Sequence, residues 1–181
     1  MKITGAHKRF LLISLSVVLF PCCLYAGVDL DGLNTGITFR VSELEAGRWQ
    51  YDYTVENISL PEGIGEFTIY FDPDHCSALR VETAGLIADT WNEFVWDPVR
   101  SIGVEGGYDA MAGAFPIGPS MIAYGFSVSF DWSGQGRPGA QYYEIIDPET
   151  FEEVDSGWTV PEPSTLALLC VGVFFAGRKR G

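Results

Sequence analysis

Arg48–Asn57 reads RWQYDYTVEN. Trp49, Tyr51, Tyr53 and Val55 fall on one side of an extended chain, and Gln50, Asp52, Thr54 and Glu56 on the other. A period of two, aromatic on one face and polar on the other, is the pattern of a half-buried antiparallel strand. The same reading extends outward. Glu66–Phe71 (EFTIYF) puts Phe67, Ile69 and Phe71 inward, and Met121–Trp132 (MIAYGFSVSFDW) sets Ile122, Tyr124, Phe126, Val128 and Phe130 against Ala123, Gly125, Ser127, Ser129 and Asp131. Shorter strands are expected at residues 37–41, 78–82, 93–96, 142–146 and 156–159. Turn-formers separate them at 57–65, 72–74, 97–98 and 147–150, the last with Asp then Pro as in a type I turn. Residues 103–118 are Gly-rich and lack alternation, which predicts a long loop. About eight short strands with frequent turn signals and no strong helical period predict an all-β fold, a single antiparallel β-sandwich.

The chain of 181 residues is long enough for one compact domain, and 14% aromatic residues can fill its core. The formal net charge is −13, but the bases are unevenly placed. Six of the 11 sit at the two ends; residues 27–160 hold five Arg and no Lys against 23 acids, a net charge of −18. Phosphate backbones need clustered cations, so nucleic acid is excluded as a partner.

The N-terminus predicts a secretory signal over residues 1–26. Lys2, His7, Lys8 and Arg9 form the basic region, and residues 10–20 (FLLISLSVVLF) form an apolar run too short for an ordinary spanning helix. Pro21 ends the run, and Ala26 stands where cleavage is expected. Cys22 and Cys23 would leave with the signal, and neither follows the small residue that a lipidation site wants. Cys170 lies in the other apolar end, so Cys76 is alone in the expected exported domain, residues 27–159, which then has no internal disulfide.

At the other end Val160-Pro-Glu-Pro-Ser-Thr165 precedes residues 166–177 (LALLCVGVFFAG) and the cluster Arg178, Lys179, Arg180. Two prolines two residues apart keep the first part extended and exposed. Twelve apolar residues as helix reach about 18 Å of a hydrocarbon core of about 30 Å. On length alone the run also fits a core helix, but three consecutive cations suit the headgroup level at a cytoplasmic stop.

Val160-Pro-Glu-Pro-Ser-Thr-Leu-Ala-Leu-Leu169, Gly172 within the apolar run and the basic end together resemble the PEP-CTERM sorting signal of Gram-negative envelope proteins. The resemblance covers residues 160–181. It implies a tripartite tag: the motif Pro161, Glu162, Pro163, a membrane helix over about residues 165–177, and the membrane-stop cluster Arg178, Lys179, Arg180. It further implies a partner, the membrane-embedded thiol transpeptidase called exosortase, and a precursor held transiently in the inner membrane before release to the cell surface or extracellular matrix. Phe130-Asp-Trp-Ser-Gly-Gln-Gly-Arg-Pro-Gly-Ala-Gln-Tyr-Tyr-Glu144 more loosely resembles the last third of many PEP-CTERM ectodomains.

Catalytic constellations are not expected. His75 and Cys76 are neighbours on an extended chain and so point to opposite sides, with no third residue to orient them. One His in the exported part excludes a multi-His metal site. Asp29-Leu-Asp31-Gly-Leu-Asn34 and Asp72-Pro-Asp74 cluster oxygen ligands, yet neither has the spacing of a calcium loop, and Asx turns account for both. No cofactor is implied. Asn57-Ile58-Ser59 has the form of a glycosylation sequon and is read as a turn. Trp91, Trp96, Trp132 and Trp158 are read as packing residues or as a sugar-stacking platform, with Trp132, beside Ser-Gly-Gln-Gly, as the candidate exposed ring. The expectation is an exported structural protein of the envelope or an exopolysaccharide matrix. The alternative is a carbohydrate-binding module with Trp132 in its site.

Overall fold

The computed structural model describes residues 34–162. The expected signal peptide, membrane helix and basic cluster lie outside these residues, as do Pro163 and the Asp29 and Asp31 ligand candidates. Within them the fold is all-β, two five-stranded sheets built from ten strands. The strands are β1 Thr35–Glu45, β2 Arg48–Asn57, β3 Glu66–Phe71, β4 Cys76–Val81, β5 Trp91–Trp96, β6 Gly106–Ala112, β7 Met121–Trp132, β8 Tyr142–Ile146, β9 Glu153–Trp158 and β10 Val160–Pro161. One five-residue helix, α1 (Leu86–Thr90), precedes β5. The first sheet runs β10-β1-β2-β7-β4 and the second β5-β6-β3-β8-β9.

The alternation of β2 and β3 is realised as read. Tyr51, Tyr53, Val55, Phe67, Ile69 and Phe71 are buried, and Tyr108, Phe126, Phe130 and Tyr143 complete a core of aromatic rings. Phe67 meets Phe126 edge-on at 5.0 Å, and Tyr51 stacks on Phe130 at 5.1 Å. Such ring pairs add about 0.5–1.5 kcal/mol each beyond area burial.

Four sequence readings need correction. The count is ten strands, not about eight. The sheet is mixed rather than wholly antiparallel, because β10 lies parallel to β1. The segment 103–118 is not one long loop: β6 sits inside the second sheet, hydrogen-bonded to β3 and β5. Its glycines hid it. A Cβ on Gly106 would stand 2.5 Å from Pro98 Cδ, so this glycine admits a neighbouring chain and does not mark a turn.

The fourth correction concerns β7. Phe126, Val128 and Phe130 point inward as expected, but Ile122 is exposed and Tyr124 is 66% exposed. Register slips between Tyr53 and Thr54, which pair with Phe126 and Tyr124, leaving Gly125 as the extra residue at φ +103°. A one-residue bulge reverses the facing of the side chains on one side of it relative to the other, here those of residues 121–124. Ala123, not Tyr124, then packs against the core.

Candidate functional site

In the second sheet β3, β5, β8 and β9 turn their even residues outward and β6 its odd ones, and several of the outward residues are aromatic. Trp96 pairs with Gly107, Gly107 with Tyr70, and Tyr142 with Trp158. The rings of Tyr70 and Tyr142 lie 5.9 Å apart, and those of Tyr142 and Trp158 also 5.9 Å. At the same end a cleft of about 320 Å³ is lined by Tyr70, Tyr142, Trp158, Trp132, Asp72 and Glu105, among others. Trp132 therefore belongs to the cleft, but half-buried. Its Nε1–H donates to Gly136 O at 3.0 Å, and its ring lies against Gly134 and 5.2 Å from His75. Trp91 is core, whereas Trp158 is 65% exposed. Trp158 was among the four tryptophans read as packing residues or a stacking platform, whereas Tyr70 and Tyr142 escaped the sequence reading, although the outward phase of 66–71 and 142–146 held their signal.

The polar groups singled out by sequence are engaged structurally. Asp72 Oδ1 accepts from the Asp74 N–H at 2.8 Å, the Asx turn expected there, and Oδ2 pairs with His75 Nδ1 at 2.8 Å. Burial pulls Asp72 up, but hydrogen bonds from His75 and the Asp74 N–H, with the His75 and Arg100 charges, outweigh it and hold the carboxyl below its ordinary value. Cys76 is buried, and burial, then the Asp72 charge, pushes its thiol up to about 12, so it carries little thiolate. Asn57 is buried, with Nδ2 donating to Leu60 O and Ile117 O and Oδ1 accepting from the Leu60 N–H. The sequon amide is consumed by this turn. Glu66 and Asp109 form a buried acid pair on the outer side of the second sheet; both are raised, Glu66 by burial and the Asp109 charge and Asp109 by burial. Glu66 Oε2 and Asp109 Oδ1 are buried without a hydrogen-bond partner. Among the described residues no cluster of three or more His, Cys, Asp or Glu is placed to hold a metal ion.

The C-terminal segment is built into the sandwich. Thr159 is buried at the corner, its N–H donating to Gln141 O at 2.8 Å and its Oγ1 accepting from the Gln141 N–H at 2.9 Å. The chain there leaves the edge of the second sheet and joins the edge of the first. Thr38 pairs with Val160 and Phe39 with Pro161, and the Glu162 N–H donates to Phe39 O at 2.9 Å. Glu162 Oε2 lies 3.3 Å from Arg40 Nη2. Pro161 has no N–H to offer, so it fits only such an edge. The segment is extended, as expected, but paired and half-buried rather than exposed.

Residues 159–180 match the PEP-CTERM protein-sorting motif. The PEP-CTERM motif thus begins inside the sheet, and its residues Pro161 and Glu162 are held by β1. No curated protein matches the sequence. Among solved structures, a family 3b carbohydrate-binding module from Clostridium clariflavum is similar at 13% identity and TM-score 0.42, covering 68% of this chain and 95% of that one. A chain of a type I cohesin–dockerin complex from Clostridium thermocellum is similar at 15% identity and TM-score 0.32, covering 70% and 99%.

Proposed function

We propose that this chain is an exported structural protein of the envelope or extracellular matrix, sorted through its C-terminal tag by an exosortase-like membrane transpeptidase. The PEP-CTERM match over residues 159–180 carries the reading. In this scheme residues 1–26 direct export. The apolar run and Arg178, Lys179 and Arg180 hold the precursor in the inner membrane, and Pro161, Glu162 and Pro163 present the site to the enzyme. The −18 charge of residues 27–160 suits a surface exposed to water. Intact mass of the protein from its native envelope tests the scheme. A mass ending near Pro163 is expected, and replacing Pro161, Glu162 and Pro163 with Ala leaves a precursor that keeps Arg178, Lys179 and Arg180. A wild-type mass that keeps those three residues makes the tail a plain anchor.

A further inference from the structure

The outward aromatic residues of the second sheet form one row. Trp96 on β5, Gly107 on β6, Tyr70 on β3, Tyr142 on β8 and Trp158 on β9 follow one another across all five strands. At the usual strand spacing the row is about 19 Å long. Gly107 is the one member without a side chain, and its absence has a use. A Cβ there would stand 2.1 Å from the Trp96 indole, so the indole lies flat over the glycine. Its Nε1–H donates to Glu105 O at 3.2 Å, which fixes the ring with one face on the sheet and the other outward. Phe94, 56% exposed and 5.7 Å from Trp96, widens this end, and Trp158 ends the row at the other. The core needs none of these rings, since the inward residues of the same strands fill it. Polar groups border the row: Glu144, which accepts from Tyr70 Oη at 2.7 Å, and Asp72, Glu105 and Gln141 in the adjoining cleft.

We propose that this row binds an extended, uncharged β-1,4-linked polysaccharide. The near-parallel rings of Tyr70 and Tyr142, 27° apart, and the exposed Trp158 indole, set at 63° to Tyr142, offer pyranoses apolar surface, while carboxylates and an amide at the border take hydroxyl hydrogen bonds. A straight row suits a straight ribbon whose repeat is close to one strand spacing; a coiled glycan would leave it after one or two rings. Charge selects among such ribbons. The cleft is lined by two carboxylates and, among the described residues, no cation, so uronate chains are repelled. The same acidity disfavours a second copy of this chain as occupant.

Isothermal titration of the full chain, held in a sugar-free detergent, with cellohexaose, xylohexaose, mannohexaose and an alginate hexasaccharide tests the proposal. Binding of at least one uncharged hexasaccharide is expected, with alginate silent. Trp158→Ala, which removes an exposed ring and leaves the melting temperature unchanged, weakens binding by about tenfold or more, and Trp96→Ala does the same. Failure of all three uncharged sugars at millimolar concentration overturns the proposal. So does binding that Trp158→Ala leaves intact, or alginate binding as tightly as the best uncharged sugar.

Discussion

If the PEP-CTERM motif begins as an edge strand, its release from β1 is an equilibrium whose size follows from the contacts. The Glu162 N–H bond to Phe39 O contributes about 1 kcal/mol net. The Arg40–Glu162 pair, with side chains 63% and 25% exposed, contributes no more than about 0.5 kcal/mol after screening by solvent. Partial burial of Val160 and Pro161 adds a similar amount. The total is about 2 kcal/mol, a docked-to-free ratio of about 30. Amide hydrogen exchange by NMR on the full chain reads this directly at Glu162, whose N–H opens only when the segment lifts. A protection factor of about 30 is expected. Arg40→Ala, which removes the ion pair and leaves the ladder, should lower it about twofold. Exchange at the rate of an unstructured peptide would refute the docking. Wild-type protection in Arg40→Ala would remove the ion pair from the account. An enzyme that needs the motif as free chain would meet about 3% of it undocked at any instant.

Two further outcomes test the fold around these sites. Asn57→Ala removes the acceptor of the Leu60 N–H and the donor to two buried carbonyls, and should cost about 2–4 kcal/mol; a denaturant midpoint near wild type would show that water replaces the amide. Glu66 is raised above its ordinary value of 4.5, so its contribution to stability is full below that pH and lost as pH rises through the folded value. Glu66→Gln removes that loss, so the variant should gain on wild type as pH rises from 4.5 through the folded value of Glu66 and hold a constant lead above it in melting experiments. Parallel curves would mean that Glu66 titrates alike in both states.

Where inward and outward residues alternate without interruption, the pattern in the chain is enough. Arg48–Asn57, Glu66–Phe71 and Tyr142–Ile146 appear as strands with the same bounds as read. The match over 159–180 rests on local residues, and it was equally legible. Gly106–Ala112 was not, because Gly, Asp and Ala along a strand carry the signature of a turn until Pro98 and the Trp96 ring are seen to occupy the space of the missing side chains. Nor was the change of face within β7, since a bulge belongs to a pair of strands and its one local mark, Gly125, lies in phase with the small residues of the outward face.

The same division separates the two candidate sites from their sequence readings. Trp132, beside a Gly-rich run, was the candidate exposed ring, yet that run lets the chain fold back so that Gly136 O and Gly134 hold the indole. Trp158 is exposed because β9 is an edge strand and Tyr142 is its cross-strand partner. The identity of Pro161 and Glu162 as part of a sorting motif is a local property of the chain. Their contacts with Phe39 and Arg40 join residues 122 positions apart, and the bond from Thr35 Oγ1 to Asp155 joins residues 120 apart. Composition, export charge and the alternating strands are therefore written along the chain, where each residue is judged against near neighbours. The aromatic row and the docked tail are decided by register between strands, which exists only once the two sheets have closed on their shared core.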